Sequence, residues 1–169
     1  MLRKEYQWMG KNEVTELSNE LTYRHYLMDK GRLHELFQEM TIPEYIALQI
    51  IVSEHDSAGV CSGKIYLKDL SGKMQLTIRQ ASKMMSELKD KGLILWSHDG
   101  DGSEGTYVAI TERGKKLFAE QEQILKQYYG NVIEKFGKQN LINLIQLMKQ
   151  LESIMGNEIE DLEVKNEHI

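Results

Sequence analysis

The stretch LTIRQASKMMSELKDKGLI (Leu76–Ile94) decides how this chain folds. At about 100° per residue, Ile78, Ala81, Met85 and Leu88 fall on one side of a helix, with Met84 flanking them. Arg79, Ser82, Lys83 and Ser86 fall on the opposite side, and Gln80 lies nearer the edge. Thr77 is placed to cap the helix at its start, and Gly92 to stop it. A helix divided in this way buries one side and leaves a cationic, hydroxyl-bearing side for something else.

Its neighbours give that helix a setting. Downstream, Leu93–His98 and Thr106–Ile110 read as strands, and the seven residues between them, DGDGSEG, are a turn, so a hairpin follows directly. Upstream, residues 67–73 form a short helix, closed by a Gly72-Lys73-Met74 turn and preceded by a strand at Lys64–Tyr66. His55–Gly63 is rich in small and turn-forming residues and reads as a loop.

Longer helices lie on either side. Residues 12–40 carry Val14, Leu17, Leu21 and Met28 at helical spacing, then Leu33, Leu36, Phe37 and Met40 beyond a bend at Gly31. Thr41-Ile-Pro-Glu44 opens the next helix with a capping box and a first-turn proline, and Ala47, Ile50 and Ile51 form its buried stripe. After the hairpin, Thr111-Glu-Arg-Gly114 starts a helix carrying Leu117, Leu125, Tyr128, Val132 and Phe136, broken at Gly137. The last helix has Leu141, Leu144, Met148, Leu151 and Met155 at alternating steps of three and four, widened by Ile142, Ile145, Leu147 and Ile154. So much apolar surface on one helix needs more than one partner, and a second copy is expected to cover part of it. Residues 157–169 read as an acidic, frayed tail.

Composition sets outer limits. A chain of 169 residues with 41% hydrophobic and 28% charged content fits one domain with a sizeable core. Its apolar runs fall short of the roughly 20 residues that span a bilayer, and MLRKEYQWMGKNE lacks a signal-peptide core, so no membrane partner is expected. One cysteine, Cys61, builds no disulfide framework, and the cytoplasm is the expected compartment. The net charge of −5 hides a partition. Gly59–His98 holds seven basic residues against three acidic ones, a balance of +4, which leaves −9 for the rest. Local charge, not the total, meets a polyanion.

A calcium loop starting at Asp99 wants glycine at its sixth position and glutamate at its twelfth, where this chain has Glu104 and Ile110. Calcium is therefore rejected. The same segment opens no helix, which excludes a phosphate-binding glycine loop. Cys61, with Lys64 nearby, is open to a redox-sensing reading or to that of an unreactive thiol. His25, His34, His55, His98 and His168 show no paired metal spacing, although a sensor assembled from distant ligands stays open. No nucleophile-and-base pattern suggests an enzyme, and no cofactor or metal is expected.

Short helix, turn, capped helix and hairpin make a winged helix-turn-helix. With flanking helices in this order, the chain resembles the MarR family of bacterial transcription regulators over roughly residues 12–155. LKDLSGKMQLTIRQASKMMSELKDKGLI (67–94), joined at the right distance to VAITERGKKLF (108–118), carries the resemblance. The fold it implies is mainly α with a small β-hairpin wing. Residues 41–111 would form the DNA-binding lobe, and residues 12–40 and 112–156 the helical dimerisation region. Thr77, Arg79, Gln80, Ser82, Lys83 and Ser86 would meet double-stranded DNA, with Lys64, Lys68 and Lys73 on phosphates. Val14, Leu17, Leu21, Leu141, Leu144, Met148, Leu151 and Met155 would join a homodimer on a near-palindromic operator. A small-molecule effector would bind between the dimer region and each lobe. The wing departs from the family, whose members carry arginine at the tip. Here Ser103 and Glu104 stand there, with Asp99 and Asp101 just before, and three carboxylates repel phosphate. Two further functions stay open: a winged-helix protein acting through protein contacts, and a metal or redox sensor on the same scaffold.

Overall fold

The protein is described by a computed structural model covering residues 11–54, 63–98 and 105–166. Its elements are α1 (Lys11–Asp29), α2 (Ile42–Ser53), β1 (Lys64–Tyr66), α3 (Leu67–Lys73), α4 (Ile78–Asp90), β2 (Ile94–His98), β3 (Thr106–Ile110), α5 (Glu112–Phe136) and α6 (Lys138–Asn166). The loop and wing-tip residues Cys61, Asp99, Asp101, Ser103 and Glu104, with His55 and His168, lie outside the described residues. The chain divides into two compact units, Met1–Lys115 and Lys116–Ile169.

The first unit is built on a three-stranded antiparallel sheet in the order β1-β3-β2. The sequence foretold the hairpin and the short strand, but not that β1 pairs with the far strand of that hairpin, Ile65 opposite Val108. Residues of one parity on the sheet (Ile65, Ile94, Val108, Ile110) are buried together with Leu48 and Ile51 of α2, Leu70 of α3, and Ala81, Met85 and Leu88 of α4. Leu48 takes the place expected for Ile50, which is half-buried. Ile78, expected in the core, is 49% exposed. It is the first residue of α4, and Cβ bonds tilt toward a helix N-terminus, so its side chain points past the contact surface.

The helix expected over residues 12–40 ends at Asp29. Gly31 is extended, Arg32–Leu36 make a 3-10 turn, and Phe37 is extended again. A Cβ at Gly31 would stand 2.9 Å from the Met28 carbonyl oxygen that closes α1. Met40 is therefore buried from a non-helical segment rather than from a helix face.

The capping box at the start of α2 is present. Thr41 Oγ1 accepts from the Glu44 amide at 3.3 Å, and Glu44 Oε2 accepts from the Thr41 amide at 2.7 Å. Glu44 does a second thing that local sequence does not announce. It is 2% exposed, and Lys91 Nζ donates to its two oxygens at 2.7 and 2.8 Å. One carboxylate thus ties the start of α2 to the end of α4. The Thr111-Glu-Arg-Gly114 opening of α5 has an equally physical cause. Thr111 Oγ1 accepts from the Gly114 amide at 2.9 Å and shares its proton between the Gly92 and Leu93 carbonyls, at 2.9 and 3.1 Å. A Cβ on Gly114 would meet Leu93 O at 2.1 Å, so only glycine lets the helix start this close to β2.

In the second unit α5 continues to Phe136, where Gly137 (φ 94°) breaks the path as its sequence suggested. Its buried residues Phe118, Gln121 and Leu125 recur at helical spacing. The helix α6 runs past Gly156 to Asn166, so the segment expected to fray is helical that far. Asp and Glu on a solvated helix face repel weakly, and nothing in 157–166 breaks a helix as proline would.

Two tests follow from these contacts. Burial alone would raise the Glu44 carboxyl, but hydrogen bonds from Lys91 and Thr41 outweigh it and hold the group below the ordinary carboxylate range. Its stabilising effect is then complete above the unfolded value of about 4.3 and is lost as pH falls through the lower folded value. Glu44→Gln should cost about 1–3 kcal/mol at neutral pH. That difference in urea unfolding should shrink toward zero in acid, and a deficit independent of pH would count against the ion pair. Gly114→Ala should lower stability by about 1–3 kcal/mol or more through the clash at Leu93. Gly130→Ala, where a Cβ meets nothing within 4 Å, should raise it by about 0.5–1 kcal/mol, both read by thermal or urea denaturation.

Candidate nucleic-acid interface

Two identical closures hold α4 in place. At the end of α3, Gln75 N donates to Gly72 O at 3.1 Å and Leu76 N to Ser71 O at 2.9 Å. At the end of α4, Gly92 N donates to Lys89 O at 2.8 Å and Leu93 N to Leu88 O at 2.9 Å. Both are Schellman motifs, which need a left-handed residue just past the helix. Glycine fills that place at Gly92 (φ 72°), but Gln75 (φ 54°) fills it between α3 and α4. The sequence had set the turn on Gly72-Lys73-Met74, whereas Gly72 and Lys73 are inside α3. A left-handed glutamine costs roughly 1–2 kcal/mol, and the hydrogen bonds to Gly72 O and Ser71 O, together with the burial of Leu70 and Ser71, hold it there.

The start of α4 is a reciprocal box. Thr77 Oγ1 accepts from the Gln80 amide at 3.2 Å, and Gln80 Oε1 accepts from Thr77 N and Oγ1, both at 2.9 Å. This removes most of Gln80's freedom to reach a base, because its carbonyl oxygen is already turned back onto Thr77. Arg79, Lys83 and Ser86 are exposed on one face, and Ser82 beside them is half-buried. Among the described residues neither Arg79 nor Lys83 has an acidic partner within 4 Å, although Glu87 lies one turn beyond Lys83. A cation in the first turn opposes the helix dipole, and α4 has no acid there. Arg79 is therefore not accounted for by helix stability.

The three lysines named with that face differ in surroundings. Lys68 is exposed in the first turn of α3. Lys73 is taken by an ion pair with Glu54. Lys64 stands over the Tyr107 ring, 4.9 Å from its centroid. Sequence reasoning missed the tyrosines around it. Tyr66 and Tyr107 face each other across β1 and β3, edge to face at 6.3 Å, and the alternation in KIY and TYVAI was the available signal.

The apolar residues assigned to dimerisation sit on helices with little cover. Leu17 and Leu21 of α1 are exposed and Val14 is half-buried. On α6, Leu144, Met148, Leu151 and Met155 are exposed and Leu141 is half-buried. Among the described residues no three His, Cys, Asp or Glu side chains gather as a metal site requires, and no helix is long and apolar enough to cross a membrane. A surface pocket of about 490 Å³ lies on the first unit, lined by His34, Phe37, Met40, Pro43 and Lys91 among others.

No protein-family model and no curated protein sequence matches the chain. Solved structures do. The chain is similar to a MarR family protein from Bacillus stearothermophilus over 88% of its own length and 99% of the other's, with 21% identity and a TM-score of 0.57. A MarR family regulator from Neisseria meningitidis aligns over 90% of this chain and 99% of its own, with 18% identity and a TM-score of 0.61. An organohalide-sensing transcriptional regulator in its 2,4-dichlorophenol-bound form aligns over 90% of this chain and 89% of its own, with 15% identity and a TM-score of 0.66. At these identities the likeness is one of fold: the chain has a MarR-like winged helix-turn-helix with helices before and after it.

Proposed function

We propose that the chain is a cytoplasmic, homodimeric transcription regulator of the repressor kind, which binds a near-palindromic operator and responds to a small molecule. The observation that carries this reading is the pair of cations, Arg79 and Lys83, without an acidic partner among the described residues, on the outward face of a helix closed at both ends. In a winged helix-turn-helix that face lies in the major groove. Arg79 suits the O6 and N7 of guanine, while Lys83 and Ser86 suit phosphates or bases. Lys68 anchors the backbone. The exposed apolar residues of α1 and α6 support a second copy as their cover, since monomers rarely leave such surface in water. The pocket beside Lys91 supports a small apolar effector with one polar group, and the ligand-bound form of one structural neighbour is in keeping with that. An effector acts only by its differential affinity for two states, so the pocket must change shape between them.

The test joins assembly to readout. Light scattering at micromolar concentration should give twice 19.6 kDa. Titration of the DNA upstream of the coding region should reveal sequence-selective binding. Arg79→Ala should cost about 1–3 kcal/mol on that DNA and little on random duplex. Lys68→Ala should weaken both alike. A stable monomer, or equal losses for Arg79→Ala on the two duplexes, would remove the operator reading. The acidic wing tip in the sequence favours a second reading, in which the fold serves protein contacts; absence of duplex binding at low salt would select it.

A further inference from the structure

We propose that Gln80 is a donor-only reader of the operator, which selects guanine and rejects adenine at one position of each half-site. This rests on the regulator reading above and deepens it, because it names the base that the start of α4 takes. A free glutamine side chain suits adenine, accepting from N6 with its oxygen and donating to N7 with its nitrogen. Gln80 has given up the first of these. The Thr77 amide can only donate, so the side-chain atom that faces it is the oxygen, and this bond fixes which way the Gln80 amide is turned. Thr77 Oγ1 donates to the same oxygen, also at 2.9 Å. An amide oxygen has two lone pairs, and both are filled. What remains is Nε2 with two N–H groups, which have no hydrogen-bond partner among the described residues. Gln80 is exposed in the first turn of α4, the part of a recognition helix that contacts base edges.

The base follows from the chemistry of the groove. Guanine shows two acceptors, O6 and N7, in the major groove, whereas adenine sets a donor, its N6 amino group, beside N7. Against an amide with no acceptor to offer, that donor meets another donor. Thymine offers one acceptor, and cytosine a donor. The neighbours of Gln80 set the same preference. Arg79 and Lys83 carry donors only, and the first carboxylate of α4, Glu87, stands about 10 Å farther along the axis. A side chain already held in its box loses little freedom on binding, so its bond discriminates more than one from a mobile amide would. Taking adenine with two bonds would require the box to open, and the start of α4 would lose part of its cap.

Selection by the full chain from a pool of randomised duplexes of about 30 base pairs, long enough for two half-sites, tests the proposal. The wild type should enrich a guanine in each half-site that Gln80→Ala no longer enriches, apart from the guanine lost with Arg79→Ala. In fluorescence anisotropy, changing that guanine to adenine should weaken the wild type roughly three- to tenfold per half-site, and Gln80→Ala hardly at all. Gln80→Glu keeps an oxygen for Thr77 but sets a second one in place of Nε2. It should lose the guanine while its melting temperature does not fall, since an acid in the first turn suits the helix dipole. Adenine at the Gln80-dependent position overturns this proposal and leaves the regulator reading intact. So does equal weakening of every duplex in Gln80→Ala, which would mark a phosphate contact or a cap alone. Guanine retained by Gln80→Glu overturns it as well. A wild type that enriches no sequence overturns the regulator reading and this one together.

Discussion

Glu44 lies almost out of reach of water between the start of α2 and the end of α4, and a carboxylate so placed must be partnered or protonated. Its partners come from two places in the chain. The Thr41 amide comes from its own helix cap and the Lys91 ammonium from 47 residues away. Capping alone would leave one oxygen of a buried anion without a donor. The lysine satisfies it and at the same time fixes how α2 meets α4. Since Lys91 is also the C-cap residue of α4, its ion pair with Glu44 ties the end of the helix that carries Arg79 and Lys83 to the start of α2. Lys91 further lines the surface pocket, so a molecule bound there would touch the side chain that holds Glu44.

Much of this was legible in the sequence, and the boundary between what was and was not is a physical one. Signals that act within about four residues could be read directly. They include the Thr41 and Thr77 caps, the buried side of α4 at Ala81, Met85 and Leu88, the stop at Gly92 and the break at Gly137. The Thr-x-x-Gly opening of α5 was recognisable as a pattern, but its cause, the carbonyl of Leu93 against Gly114, appears only in three dimensions. Effects that bring distant residues together were not legible. The pairing of Lys91 with Glu44, of Lys73 with Glu54 and of β1 with β3 has no local mark.

The misreadings share one cause. Helix 12–40 was extended past Gly31 because Leu33, Leu36 and Met40 keep a helical spacing, yet Met40 reaches the core from extended chain. Periodicity reports which residues are apolar, not which backbone delivers them. The turn after α3 was set on Gly72, whereas the strained residue is Gln75, because glycine is only the easiest occupant of a left-handed position. Gln80 is open in the sequence to a base or only a phosphate, and the structure adds that its side-chain oxygen is turned back onto Thr77. At the candidate site the sequence names residue types, and only the structure shows which of their polar atoms are already engaged.

The double closure of α4 also says where the chain tolerates a change of length. Inserting one residue between Ala81 and Met85 would turn everything beyond it by about 100°. Ser86 would leave the side of Arg79, and Met85 and Leu88 would swing out of the core, while Gln75 and Gly92 allow neither end to slip. In α6 beyond Met155 the side chains described are exposed, so the same insertion there would swing no buried side chain out of place. Between two such helices, gain or loss of a codon separates a part whose register is fixed by its closures from one whose length can drift.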